Sequence, residues 1–351
     1  MNWSDDFFME RIPLRRRNLQ MAIYARFLAD GNSIHCQSMK LATIQKYVQT
    51  TAQFLSLFDP RGQDPRCTED GKLCPELTSI YKELNRWESI PDRREPFTID
   101  MLVYIESIAK NSNPDSIQAA MADWSCIGLF TGMRLTEWAQ HANRAALAKP
   151  QLDIFGEPRA FALRDIQFLD DNLHIIPLNR ILTCPIHTIF RLRITWRTQK
   201  NGENGDYRQY ERPSLPSDRS PIPAMVNIVR RFARLVGLHD TSTPIAIHKP
   251  HGTHTRYITS IDIERSIREA AAHVYNLDPK IHKDALSKWS SHSFRVGACV
   301  ILHSQGFLTL DIQWLLRWRS LAFYAYLRNL GVNARKQNAA INRAAATPNF
   351  L

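Results

Sequence analysis

A chain of 351 residues with 44 % apolar and 23 % charged residues has room for two domains with cores of their own, and its composition excludes a disordered protein. No run reaches the ~18 apolar residues of a membrane helix, the acidic start Met1-Asn-Trp-Ser-Asp-Asp6 is unlike a secretion signal, and Cys36, Cys67, Cys74, Cys126, Cys184 and Cys299 make no C-x-x-C pair and no zinc spacing, so reduced intracellular thiols are expected. The net charge of +11 is uneven: residues 1–96 hold 14 Lys/Arg against 13 Asp/Glu, net +1, whereas 180–234 hold 11 against 4, net +7, which points to a polyanionic partner and to nucleic acid first.

Residues 1–95 read as a helical domain. Over 38–58, Leu41, Ile44, Val48, Ala52 and Leu55 recur at helical spacing, and a shorter helix follows around 77–87. The proline-bracketed, charged stretch Ile90-Pro-Asp-Arg-Arg-Glu-Pro96 marks the boundary to a second domain, 96–335, with a tail at 336–351. Thr98 is placed to cap a helix running to Ile108. In Arg191-Leu-Arg-Ile-Thr-Trp-Arg197 the apolar Leu192, Ile194 and Trp196 alternate with Arg191, Arg193, Thr195 and Arg197. That period of two predicts a half-buried strand with an exposed arginine face. Asn201-Gly-Glu-Asn-Gly205 supplies the turn and 207–212 the return strand, so a β-hairpin is expected; beyond Pro223 the chain reads as helical, with loops near 249–255 and 276–279. The expected class is therefore mainly α, with two domains: an N-terminal helical one, and a C-terminal α+β one carrying a small antiparallel sheet.

Three stretches carry chemistry-bearing residues. In Ile127-Gly-Leu-Phe-Thr-Gly-Met-Arg-Leu-Thr-Glu-Trp138 a helix ends near Phe130, Gly132 suits a left-handed cap, and Arg134 sits on the turn before the next helix. In Ser290-Ser-His-Ser-Phe-Arg-Val-Gly-Ala298 the i, i+3 spacing puts His292 and Arg295 on one helix face, a donor pair suited to phosphate oxygens. In the third, 310–328, Ile312, Leu315 and Leu316 mark one helix face. Ser320 then caps a second helix with Phe323, Leu327 and Leu330 as its stripe and Tyr326 beside it.

Singly, each stretch has an ordinary structural explanation. In this order, however, T-G-M-R-L-T-E-W, H-S-F-R and L-L-R-W-R-S…Y resemble the tyrosine recombinase (phage-integrase-type) family across most of 97–330, with wording similar to recombinases of eukaryotic retroelement and transposon lineages. The N-terminal helix around Thr43-Ile-Gln-Lys-Tyr47 resembles that family's core-binding domain. The resemblance implies that Arg134 and Arg295 clamp the scissile phosphate, that His292 assists them, and that Trp318 occupies the family's His/Trp position. It implies that Lys200, at the hairpin tip, is the general acid and Tyr326 the nucleophile. The separation from Trp318 to Tyr326 is eight residues where many members have nine; nine would fall on Leu327, which cannot react, and the A-F-x-x-Y-L-R wording favours Tyr326 over Tyr324.

The chemistry fits the residue types. Two arginines and a histidine can stabilise charge on a pentacoordinate phosphorus without a metal, and a phosphotyrosyl bond conserves the energy of the broken one without ATP. No cofactor is expected, and no G-x-x-x-x-G-K-[ST] loop occurs. The partners implied are double-stranded DNA, with Arg191, Arg193 and Arg197 as binding residues, and a homotetramer on two duplexes, with the tail exchanged between protomers. No membrane partner is expected, and the location is intracellular and DNA-associated, the nucleus in a eukaryote. A type IB topoisomerase would use similar residues, and an inactive DNA-binding protein would keep the fold alone.

Overall fold

The computed structural model describes residues 12–32, 39–57, 59, 61–87, 93–197, 199, 204–215, 219–250, 254–318 and 324–327, with Ala325 and Tyr326 described by backbone alone. The chain divides into two compact units, Met1–Pro91 and Asp92–Leu351. Among the described residues no helix is long and apolar enough to cross a membrane.

The first unit holds α1 (Leu14–Ala29), α2 (Leu41–Ser56) and α3 (Pro75–Trp87). Ile44, Val48, Ala52 and Leu55 of α2 are buried at the helical spacing read from the sequence, and they pack with Met21, Ala22, Ala25 and Leu28 of α1 and Leu77 of α3. Helix α1 has little sequence signal because arginines crowd its start. One of them, Arg17, is buried and donates to Asp59 Oδ2 at 2.6 Å, an ion pair that replaces the water both groups have lost.

The second unit begins with α4 (Ile99–Ala109), capped as expected by Thr98, whose Oγ1 accepts from Met101 N at 3.4 Å. Next comes α5 (Ile117–Thr131), buried almost all round and hence the centre of the core; its Trp124 stacks at 4.9 Å on Trp138 of the one-turn α6 (Leu135–Trp138). Then come β1 (Ile166–Leu169), β2 (Ile175–Ile176), α7 (Leu178–Ile181), β3 (Arg191–Trp196) and β4 (Asp206–Glu211). Helix α8 (Pro221–Leu235) starts two residues earlier than Pro223, because Ser220 Oγ accepts from Ile222 N. After it lie β5 (Ile247–His248), β6 (Arg256–Tyr257), α9 (Ser260–Val274), α10 (Lys283–Ser287), α11 (Ser293–Ser304), α12 (Thr309–Leu315) and α13 (Tyr324–Leu327).

The fold is thus mainly helical with a small antiparallel sheet. Its strand order is β2-β1-β3-β4, and β5 pairs with β6 apart from it. Strand β3 keeps the period of two: Leu192, Ile194 and Trp196 are buried, and Arg191, Arg193 and Thr195 half-buried. The arginine face is less open than its alternation implies. Arg191 pairs with Glu211 of β4 at 2.5 Å, and Arg193 donates to Gln167 of β1 at 3.1 Å and lies 4.9 Å from the Tyr207 ring centre. Arg197, just past the strand, donates to the buried Asp165 at 2.5 Å and to the Ala160 carbonyl at 3.1 Å.

Candidate active site

The site begins where α5 stops. Gly132 caps it in the left-handed conformation, φ 55°, and a Cβ there would lie 2.8 Å from Leu316 Cδ2, so both backbone and space call for glycine. The chain then turns through the buried Met133 and places Arg134 at the N-cap of α6. Glu137, three residues on, reaches back: its Oε2 accepts from Arg134 N and its Oε1 from Arg134 Nη1, both at 2.9 Å. The guanidinium is therefore held at one edge while the side chain keeps 22 % of its surface open.

Helix α11 brings in the second pair. His292 is its N-cap residue and Arg295 lies in its first turn, as the i, i+3 spacing suggests. Arg295 is buried to 5 % exposure; its Nη1 donates to the Gly132 carbonyl at 2.7 Å, which ties α11 to the turn carrying Arg134. Trp318, after α12, covers it, with the Arg295 guanidinium carbon 4.7 Å from the indole ring centre. Burial pushes the His292 imidazole down to about 4, and the positive fields of Arg295, Arg94 and Arg134 push the same way. Residues from 161 positions apart in the chain thus gather around one imidazole, joined by Arg94, whose Nη1 donates to the Ser287 carbonyl at 2.7 Å.

His292 is consequently neutral at neutral pH. The unfolded chain takes up its proton near the ordinary 6.5, the native chain only near 4. Between these values the unfolded state holds more protons, so the stability that His292 allows is complete above 6.5 and is lost as the pH falls toward 4. His292→Gln is expected to flatten the stability–pH profile in this window, as read by urea unfolding of both proteins at a series of pH values. Parallel profiles for the two proteins would place the imidazole in open water.

Two residues that the sequence did not single out complete the cluster. Glu137 is buried, and its Oε2 also accepts from Trp196 Nε1 at 3.1 Å and from Arg317 Nη2 at 2.9 Å. Arg317 is buried with φ 55°, and its guanidinium carbon lies 3.7 Å from the Trp196 ring centre. The hairpin thereby joins the site at its Trp196 end. Arg208 of β4 joins it a second time, donating to the Trp314 carbonyl at 3.1 Å and lying 4.4 Å from that indole's ring centre. Glu137 is legible in the sequence only as an acid in a helix's first turn, since an arginine N-cap does not make the Ser/Thr capping-box pattern; Arg317 has no signal.

Helix α13 carries Tyr326. Its Leu327 is buried with Ala298 and Cys299 of α11 and with Ile312 and Leu316, and Trp318 packs against the same cluster. The helix bearing the tyrosine therefore rests on the helix bearing Arg295. The Tyr326 side chain lies outside what is described, as do Ser320, Phe323 and Leu330. The Tyr324 hydroxyl is hydrogen-bonded to Thr309 Oγ1 at 2.8 Å. Lys200 and the tail 336–351 also fall outside the described residues; the nearest described part of the hairpin end has Gln199 N donating to Asn204 Oδ1 at 2.7 Å.

No protein-family model matches the sequence, and no curated protein matches it either. Among solved structures, the chain is similar to the Tn1549 transposon integrase in complex with transposon right end DNA, at 12 % identity and a TM-score of 0.39, with 98 % of this chain and 95 % of that one covered. It is similar also to that integrase in complex with a circular intermediate DNA, at 13 % identity and a TM-score of 0.38, covering 91 % of this chain and 82 % of that one.

Proposed function

We propose that this protein cuts and rejoins double-stranded DNA through a covalent 3′-phosphotyrosyl intermediate, as a site-specific recombinase or integrase. One observation carries the reading. Arg295 reaches from α11 to the Gly132 carbonyl, two residues before Arg134, with His292 at the start of the same helix and Trp318, from the third box, against the Arg295 guanidinium. Nothing in packing requires three arginines, counting Arg94, around one imidazole. A tetrahedral anion would make sense of them, because Glu137 is the one carboxylate described among these arginines and leaves an excess of positive charge.

In this mechanism Arg134 and Arg295 hold the non-bridging oxygens of the scissile phosphate, and the neutral His292 donates a further hydrogen bond. The Tyr326 oxygen attacks phosphorus as its phenol loses a proton; the P–O5′ bond breaks, and the 5′-oxygen takes a proton from Lys200. Trp318 keeps Arg295 in place and water away from it. The reverse sequence, with a 5′-hydroxyl from another strand, rejoins the DNA. Exchange between two duplexes calls for four protomers, with the tail 336–351 as the segment passed between neighbours. Arg191, Arg193 and Arg197 contact the DNA backbone, each with less effect than a free arginine because each already holds a protein partner. The wording of the second and third boxes resembles that of eukaryotic retroelement and transposon lineages of the family, and supports that lineage for the proposed recombinase.

The test is to trap the intermediate: express the protein in cells, denature with detergent, recover DNA-linked chains, digest with nuclease and protease, and locate the nucleotide adduct by mass spectrometry. An adduct on Tyr326 is expected, and sequencing the attached DNA then gives the target. An adduct on Tyr324 would move the nucleophile by two residues, whereas salt-sensitive DNA binding with no tyrosine adduct would make the chain a binding module.

A further inference from the structure

Glu137 is one carboxylate shared by two guanidinium groups, those of Arg134 and Arg317. The two arginines differ in access. The Arg317 side chain has no exposed surface, so it cannot touch a nucleic acid, whereas Arg134 keeps 22 % of its side chain open. Arg317 is also held at a backbone cost. Its φ of 55° lies in the left-handed region, where glycine or asparagine is the usual occupant, and the next residue closes the turn by donating from Trp318 N to Gln313 O at 2.8 Å. A strained arginine, buried against Trp196 and a carboxylate, is poorly explained as packing, because glycine would make the same turn without strain.

We infer, building on the recombinase reading, that Arg317 is a positioning residue that takes up the Glu137 charge, so that Arg134 faces the phosphate with its own charge unspent. With Arg317 present, the group formed by Arg134, Arg317 and Glu137 carries a net single positive charge, and Arg134 is its open end. Without Arg317, Glu137 would neutralise Arg134 and the phosphate would meet a salt bridge in place of a cation. The same left-handed turn aims Trp318 at Arg295, so one residue sets both clamping arginines: Arg134 by charge and Arg295 by the indole laid over it.

The experiment compares Arg317→Met, Arg317→Lys, Glu137→Gln and the double variant Arg317→Met/Glu137→Gln with the parent protein. It reads covalent adducts recovered from expressing cells, affinity for a random-sequence DNA duplex, and the His292 titration by NMR. Arg317→Met is expected to lower adduct yield about tenfold or more while duplex affinity changes less than about threefold, and Arg317→Lys to retain most of the yield. Adding Glu137→Gln to Arg317→Met is expected to restore part of the yield, because it removes the charge that silences Arg134. A purely structural role predicts the opposite, since two core lesions add. The imidazole lies in the field of Arg134 and serves as a second reporter: Arg317→Met should raise the His292 pKa, and Glu137→Gln should lower it. Losses that add in the double variant, with an unmoved His292, overturn the inference. Should Arg317→Met fail to fold, the double variant and Arg317→Lys decide it, since neither leaves the carboxylate with a single cation and no compensation. If the parent protein yields no adduct at all, the recombinase reading fails, and duplex affinity of the four variants, together with the His292 titration, still tests whether Arg317 offsets Glu137 beside Arg134.

Discussion

Replacing Gly297 with alanine is expected to cost the second unit its native fold. A Cβ at this position would stand 2.1 Å from the Phe97 carbonyl oxygen and 3.0 Å from its carbon, contacts with backbone and not with the end of a mobile side chain. The backbone at Phe97 cannot retreat cheaply. Its N–H donates to the Ser293 carbonyl at 2.9 Å, Phe97 itself is fully buried, and its ring sits 4.6 Å from that of Phe294. Relief would mean lifting the 93–98 segment off α11, which would also shift His292 and Arg295. The expected loss is above about 4 kcal/mol, the range in which a single substitution marks a specific steric conflict. Chemical denaturation of Gly297→Ala beside Gly128→Ala would measure it. At Gly128 the new methyl would meet the buried Phe294 ring at 3.0 Å, a contact that a ring movement of a few tenths of an ångström relieves, so a smaller loss of about 1–3 kcal/mol is expected there. Equal losses at the two glycines would mean that the 93–98 segment does not press on α11 as described.

Gly297 shows what kind of information the sequence carried and what kind it did not. Local signals were read well where the cause is local. The alternation in 191–197 became β3 with alternate residues buried, Gly132 became the left-handed cap, and Thr98 became an N-cap. These depend on periodicity and on backbone preference, which a few neighbouring residues settle. The partners of the cations were not legible, because they come from far along the chain: Arg197 finds Asp165 across 32 positions, and Arg317 finds Glu137 across 180. The hairpin arginines therefore looked like an open face when they are half engaged. Strands β1 and β2 have no signal in the sequence because four and two residues are too short to show a period. Of the candidate site, the motifs name Arg134, His292, Arg295, Trp318, Lys200 and Tyr326; the first four lie near one another in the fold, and Lys200 and the Tyr326 side chain fall outside the described residues. Glu137, which organises two of the site's arginines, reads from sequence as an ordinary helix-start acid.

On the proposed function, Arg295→Lys is expected to lower the yield of covalent DNA adduct by at least about a hundredfold, the usual effect of removing one oriented donor from a transition-state clamp. The geometry gives the reason for so large an effect from a substitution that keeps the charge. Arg295 uses Nη1 for the Gly132 carbonyl at 2.7 Å and has its guanidinium carbon 4.7 Å from the Trp318 ring centre, so a planar fork is suited to hold that bond, keep the contact with the indole and still present N–H groups to a phosphate. A lysine ammonium can satisfy the carbonyl or reach the phosphate, but its single nitrogen cannot do both from one buried position. Stability should fall little by comparison, by about 1 kcal/mol for the lost cation–π contact, since the cation and one hydrogen bond survive. Binding to a DNA duplex should weaken only slightly, because on the proposed function many backbone contacts contribute to affinity and the role given to Arg295 is exerted as charge develops on the phosphate. The decisive comparison is therefore adduct yield against duplex affinity in the same preparation. A lysine variant that keeps a third or more of the parent yield, by rough count against the hundredfold expected, would remove Arg295 from the chemistry and leave it as the strut between α11 and the Gly132 turn.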